Sequence, residues 1–497
     1  MKKIRLIAAL FFGMSLMSCD SYLDINQDPN SPSEKDMTSS ILMPGAEMNL
    51  AASYGNYYRI VGGYFSQHFA QQFGTGNYLD YSQFSQTATR SSGAYSQMTQ
   101  RALKNFEAIR TKAKADSDWG TYLAATTMRV FIFQVLVDCY GEIPYTEALN
   151  GDNLSPKYDE GKDVYAGILA ELDEALAHAN GTHSVATNFL FPGEKAGSWI
   201  KFANALKLRI LTRESGVVDV NSQIALLIKE NNFPTSDVAF KGCWADAGGA
   251  MNPYFAEEFS SKWGSSQTNV VANIALLGTM QSTTYVDPRF AKWFNTNENG
   301  EYTGGVSGSN FATTKKYKSG YWCRPVASYD MPVYLLTVSD VNFYIAEYYA
   351  KAGNSVKAEE YYKAGITASF EQAGVSGAED CIAAYPYDQK NFAKCIGIAK
   401  WVALAGTNDF EAYCEVRRLG YPAFGKITGD DLYKEGDDKS YAPAKYVPGT
   451  LYTPIRVYGQ VGDNKLLARW PYPQSSTSRN SNAPEFKGYT EPIFWAK

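Results

Sequence analysis

Apolar positions recur along this chain at three- and four-residue intervals in several blocks, the spacing of helices that bury one face. Residues 122–140 are apolar nearly all round, which predicts a helix buried on every side. Gly141 follows as a C′ cap, and Pro144 bars continuation. Between 163 and 179, Tyr165, Ile168, Leu169, Leu172, Ala175 and Leu176 share one stripe. Trp199, Phe202, Ala203, Leu206 and Ile210 mark a further helix. Phe392, Cys395, Ile396, Ala399 and Val402 mark another, closed by Gly406. Phe410, Tyr413, Cys414 and Arg417 continue into a short helix ended by Gly420 and Pro422.

The segment 339–370 is the most informative pair. Its first helix carries Ile345, Ala346 and Tyr349, Gly353 and Asn354 make a turn, and its second helix carries Ala358, Tyr362 and Gly365. Small residues at Ala346, Ala358 and Gly365 let two helices approach, and bulky ones fill the gap, which resembles one tetratricopeptide repeat. Segments 119–140 and 163–180 form a looser candidate pair. Long Gly-, Ser-, Thr- and Tyr-rich stretches (74–97, 240–263, 295–332) and a Pro-, Gly- and Tyr-rich C-terminus (422–497) read as irregular. Loops of that length in a compact protein are usually functional. The expected fold is mainly α, a repeat-like helical scaffold (helices about 98–215 and 339–420) under long aromatic-rich loops (about 235–335 and 422–497).

The first 18 residues carry a different pattern. Lys2, Lys3 and Arg5 precede an apolar core too short to span a bilayer, as in a secretory signal peptide. The core ends in Leu16-Met17-Ser18-Cys19, which resembles a bacterial lipobox and implies a diacylglycerol thioether on Cys19 after cleavage behind Ser18. Residues 19–37, rich in Asp, Asn, Ser and Pro, read as a tether, and 38–497 as a single domain. No basic run or apolar 20-mer is expected after Cys19.

The formal net charge is −5, and loss of Lys2, Lys3 and Arg5 makes it more negative, so nucleic acid is not an expected partner. Aromatics make up 14% of the chain, with 36 Tyr and 9 Trp, residues that serve carbohydrate and protein interfaces as well as cores. Three histidines (His68, His178, His183) and no Cys-x-x-Cys leave no zinc spacing and no His-dependent triad. Cys139, Cys395 and Cys414 fall on apolar faces and read as buried thiols; Cys243, Cys323 and Cys381 complete the set without a disulfide framework. Asp430, Asp431, Asp437 and Asp438 are rich in oxygen but lack the spacing of a calcium loop. No cofactor is expected, a structural calcium ion being the one left open.

Several patches together resemble the SusD/RagB family, specifically SusD-like lipoproteins with a tetratricopeptide core. They are Cys19-Asp20-Ser21-Tyr22-Leu23-Asp24-Ile25-Asn26 with Asp28-Pro29-Asn30, and Tyr140-Gly141-Glu142-Ile143-Pro144-Tyr145-Thr146-Glu147-Ala148. Pro156-Lys157-Tyr158-Asp159, Leu172-Asp173-Glu174-Ala175 and the run from Trp199 to Arg213 follow in order. Lys400-Trp401-Val402-Ala403-Leu404, Phe410-Glu411-Ala412-Tyr413, Arg417-Arg418-Leu419-Gly420-Tyr421-Pro422 and Arg469-Trp470-Pro471-Tyr472-Pro473-Gln474 complete the set. Between about 226 and 332 little matches. The resemblance implies a lipid-anchored protein on the cell exterior. It would capture an oligosaccharide, or in the RagB branch a peptide, and pass it without covalent chemistry to a SusC-like TonB-dependent outer-membrane transporter. Arg417 and Arg418 beside Glu411 and Glu415 read as ion-paired or carbonyl-capping.

Candidate ligand contacts are aromatics in polar contexts, because sugars lay C–H faces on rings while Asn and Arg address hydroxyls. These are Asn77, Tyr78, Tyr81 and Phe84 in the first long stretch, Trp263 among Ser and Lys, and Tyr321, Trp322 and Arg324. Each also reads as a loop anchor. A surface glycoside hydrolase would need two facing carboxylates, which sequence cannot pair. A purely structural lid is a third alternative.

Overall fold

The computed structural model describes residues 37–72, 76–260, 269–309, 319–437 and 439–496; Cys19, Trp263 and Asp438 lie outside them. Its regular structure is mainly helical. Helix α1 (Ser39–Ala52) runs through a π-helical turn (Ser53–Tyr58) into α2 (Arg59–Phe65). Helix α3 (Ala88–Ser96) passes through a second π-helical turn (Gln97–Leu103) into α4 (Lys104–Ala115). Then come α5 (Trp119–Tyr140), α6 (Gly161–His178), α7 (Ala196–Glu214), α8 (Asn221–Glu230) and the short α9 (Pro253–Glu258). The second helical half is α10 (Val338–Lys351), α11 (Ser355–Ala373), α12 (Phe392–Leu404) and α13 (Asp409–Leu419).

Among the described residues the strands make three two-stranded ribbons. β1 (Phe69–Gln71) is antiparallel to β3 (Val270–Ala272), and β2 (Val238–Phe240) to β4 (Val333–Leu336). β5 (Ala423–Thr428) runs parallel to β6 (Thr450–Thr453).

Helix α5 is the centre of the core. The Asp118 carboxylate caps its start on the Thr121 N–H at 3.2 Å, and Gly141 ends it at φ +81°. Contrary to the expectation that no apolar 20-mer follows Cys19, α5 is long and apolar enough to cross a bilayer; the fold buries it completely, as a core helix. The paired helices α10 and α11 form as their sequence predicts. Thr337 and Asp340 make a capping box, Gly353 turns at φ +74°, and Asn354 caps α11 through the Lys357 N–H at 3.1 Å. Ala346 and Ala358 are fully buried, and a Cβ on Gly365 would stand 2.8 Å from the Phe343 ring. Tyr349 departs from the repeat pattern, being half-buried and stacked on Tyr361 at 5.7 Å.

The helices α5, α7, α10, α12 and α13 meet on a buried ionic network. Arg213 bridges Asp138, Glu411 and, at 3.3 Å, Glu415; Lys400 lies 3.2 Å from Glu415 and 3.5 Å from Asp340. Arg418 pairs with Glu347 at 2.6 Å and Glu415 at 2.7 Å, while Arg417 donates to the carbonyls of Asp138 and Ala468, both at 2.8 Å. Both arginines therefore serve the structural roles read from sequence. Cys139 and Cys414 are buried free thiols, but Cys395 is only half-buried.

The stretch 74–97 is less irregular than expected. It holds a helical turn (Leu79–Ser82) and all of α3, whose start is capped by Thr87 accepting from Arg90.

Candidate functional site

The first π-helical turn widens the chain where α1 joins α2, an irregularity that often accompanies functional sites. Asn56 and Tyr57 on that turn, with Ile60 one step on, form one wall of a cleft of about 220 Å³. The facing wall is Asn77, Tyr78, Tyr81 and Arg90, with Glu257 of α9 at the side. The space is below the roughly 300 Å³ at which sites for drug-sized molecules begin.

Tyr78 and Tyr81 lie parallel, centroids 5.7 Å apart, and the Tyr78 hydroxyl donates to Glu258 at 2.7 Å. Tyr57 stands edge-on to Tyr81 at 6.4 Å and its hydroxyl accepts from Gln86 at 2.7 Å. Arg90 is tied by two hydrogen bonds to Asp80, at 2.9 and 3.2 Å, and by one to the Asn77 carbonyl at 2.9 Å. Its guanidinium sits 5.4 Å from the Tyr81 centroid. Burial pushes the Tyr81 phenol up to about 12. Burial also raises the Asp80 carboxyl, against the pull of Arg90, and raises that of Glu257, helped by Glu258. The cleft thus offers aromatic surface, a held guanidinium, an amide and a carboxyl.

The structure brings Asn77, Tyr78 and Tyr81 together but gives the two rings a different job from the one expected. At 8% and 2% exposure they face each other as the floor, while Asn77, Arg90 and Glu257 are exposed and Asn56 and Tyr57 half-buried. Phe84 points elsewhere: it is fully buried, 6.1 Å from Phe65 and 6.5 Å from Phe424. Trp322 is 1% exposed, edge-on to Tyr321 at 4.9 Å and Tyr441 at 5.2 Å. Neither ring can stack on a ligand in this conformation, a correction to both assignments. Tyr321 and Arg324 are half-buried and line no part of this cleft. Trp263 lies outside the described residues.

Asn56, Tyr57, Arg90 and Glu257 were missed. The only signal was an Asn-Tyr-Tyr run inside a helical segment and an arginine a few residues behind an aromatic cluster. Among the described residues no group of three or more His, Cys, Asp or Glu side chains is placed to hold a metal ion. Asp431 is engaged as the partner of Thr428 in a capping box, and Asp437 accepts from the Lys439 N–H at 2.9 Å.

A family model of SusD-like proteins, described as starch-binding and associating with the outer membrane, matches residues 29–440. Among solved structures, a SusD homologue from Bacteroides uniformis shares 21% identity at a TM-score of 0.73, covering 93% of this chain and 100% of its own. A homologue from Bacteroides thetaiotaomicron shares 19% at 0.71, over 93% and 99%. A chitin-binding SusD homologue from Flavobacterium johnsoniae shares 20% at 0.69, over 92% and 96%. At these identities the structures establish the helical, tetratricopeptide-like fold. No curated protein matches the sequence significantly.

Proposed function

The chain belongs to the SusD-like family, and from that premise we propose that it is a surface lipoprotein that captures an oligosaccharide and hands it, chemically unaltered, to a TonB-dependent outer-membrane transporter. The observation that carries the reading is the cleft beside the π-helical turn, where the half-buried Tyr57 ring meets Asn77, Arg90 and Glu257. Neutral sugars call for that pairing of a flat apolar surface with convergent hydrogen-bonding groups. The family's description as starch-binding and the chitin-binding relative favour a glycan over a peptide. The signal and lipobox at Cys19 supply the means of anchoring, since several acyl chains hold a protein at a bilayer without a spanning helix.

The reading is tested by calorimetric titration of the mature protein with a panel of neutral oligosaccharides. One class binds, and Tyr57→Ala and Arg90→Ala each weaken it by about 1–3 kcal/mol, the usual cost of removing an interface anchor. Unchanged affinity in both variants would place the ligand elsewhere. Binding of short peptides alone would replace the glycan by the peptide reading.

A further inference from the structure

A second, smaller apolar cluster, gathered from α10 to α13 and the short helix Ala378–Ala384, borders a cavity of about 360 Å³. Cys395, Ile398, Ala399 and Val402 recur at helical spacing on one face of α12 and form one wall; Tyr362 and Ile366 of α11 form another. The short helix contributes Cys381 and Ala384, and Met280 comes from the helix Ile274–Met280. Space remains because Cys381, Ala384, Cys395 and Ala399 are small. Asp388, Asn391 and Lys394 are exposed at the mouth. The cavity shares no residue with the cleft beside Tyr57.

The polar groups along the interior are already matched to one another. Asp287 accepts from Arg289 Nη2 at 2.6 Å and Nε at 3.0 Å, and Arg289 Nη1 donates to the Ser369 hydroxyl at 2.8 Å. The Tyr362 hydroxyl donates to the Tyr385 carbonyl at 2.9 Å, and that of Tyr385 to the Thr279 carbonyl at 3.3 Å. The Thr279 hydroxyl donates to the Ala275 carbonyl at 2.7 Å. No residue lining the cavity holds a buried side-chain donor or acceptor without a partner. A sugar or a carboxylate entering it would give up its water and gain no hydrogen bonds in return. The walls offer instead three sulfurs, on Met280, Cys381 and Cys395, and the rings of Tyr362 and Tyr385. Sulfur makes favourable contacts with aromatic rings, and rings pair edge-on or offset.

We propose that this cavity binds a small neutral aromatic molecule of the phenol class. Its ring lies in the sulfur- and tyrosine-lined interior, and its one hydroxyl stays at the mouth, where the exposed Asp388 carboxylate and water accept it. The volume falls within the range of small-molecule sites, which begins at roughly 300 Å³. The interior sets the selectivity: saturated polar groups refuse a ligand hydroxylated all round, and soft sulfur favours a flat ring over an aliphatic one. This is a binding function separate from glycan capture, and it does not rest on that reading.

The test is calorimetric titration of the mature protein with 2-naphthol and with decahydro-2-naphthol, which has the same carbon skeleton and no aromatic ring. The expected result is saturable binding of one 2-naphthol per chain, with the saturated alcohol about two- to tenfold weaker, the worth of a sulfur–aromatic contact. Ala399→Phe fills the cavity from α12 and should abolish binding. A second measurement needs no variant. Iodoacetamide alkylation of the half-buried Cys395, followed by peptide mass spectrometry, should slow in proportion to the fraction of protein occupied by 2-naphthol. Cys243, half-buried outside the cavity, should react at an unchanged rate. Absence of saturable 2-naphthol binding overturns the proposal. So does undiminished binding by an Ala399→Phe protein that melts normally or, should that variant fail to fold, Cys395 alkylation that saturating 2-naphthol leaves unchanged. Equal or tighter binding of the saturated alcohol overturns the aromatic assignment.

Discussion

Glu47 is fully buried in α1, with one oxygen accepting from the Phe189 N–H at 2.6 Å. Burial pushes its carboxyl up to about 8, although hydrogen bonds from Phe189 and Leu190 pull the other way. A folded value above the unfolded one means that this group favours the fold fully below about pH 4.5 and loses that contribution as pH rises through 8. Glu47→Gln should therefore flatten the fall in melting temperature between pH 5 and 9 and melt higher than wild type at pH 9. Parallel melting curves for the two proteins across that range would show that Glu47 does not ionise there. The aromatic candidates show where sequence stops at this scale. Phe84 and Trp322 sit among polar neighbours along the chain, yet neighbours distant in sequence bury them. Removing either ring should destabilise the protein by about 3–5 kcal/mol, read by denaturant unfolding. A loss of ligand affinity at unchanged stability would instead restore them to a binding role.

At the scale of elements, legibility followed amphipathic period. Helices α5, α6, α10 and α11 declare themselves through stripes, caps and glycine stops, and each lies within a few residues of its expected span. Helices α1 to α3 do not. α1 carries Pro44 inside it and buries only part of its length, and α3 is mostly Ser, Thr, Gly and Ala with one buried residue. Their formation depends on packing that no local window contains. The candidate site suffered most, because its wall is a π-helical turn in one of those unread segments. The paired helices provide an element-scale test. Gly365→Ala places a methyl against the Phe343 ring and should cost about 1–3 kcal/mol in unfolding free energy. A neutral result would mean that α10 and α11 have room to separate.

Across the whole molecule, charge is sequestered where the two helical halves meet. Burial alone would raise the Glu347 carboxyl, but Arg418 and Lys351 hold it down to about 2. Glu142 is likewise held at about 2, Lys487, Tyr472 and Arg469 outweighing its burial. Folded values below the unfolded ones give stability that is present above about pH 4.5 and lost as pH falls toward 2. The melting temperature should drop steeply over that window; a flat profile would argue that these two carboxylates do not contribute to stability. The proposed lipid anchor belongs to the same scale. Cys19→Ala should move the protein from the membrane fraction to the soluble one, and retention in membranes would contradict lipidation at that residue.

Capture without chemistry is the central property of the proposed function. The decisive measurement is equilibrium dialysis of the mature protein against the best-binding oligosaccharide, followed by mass spectrometry of the glycan recovered from the protein side. The expected result is saturable retention of glycan at its original mass after prolonged incubation, abolished together by Tyr57→Ala and Arg90→Ala. Recovery of shortened or otherwise altered glycan, or retention no different from that of an unrelated protein, would contradict it.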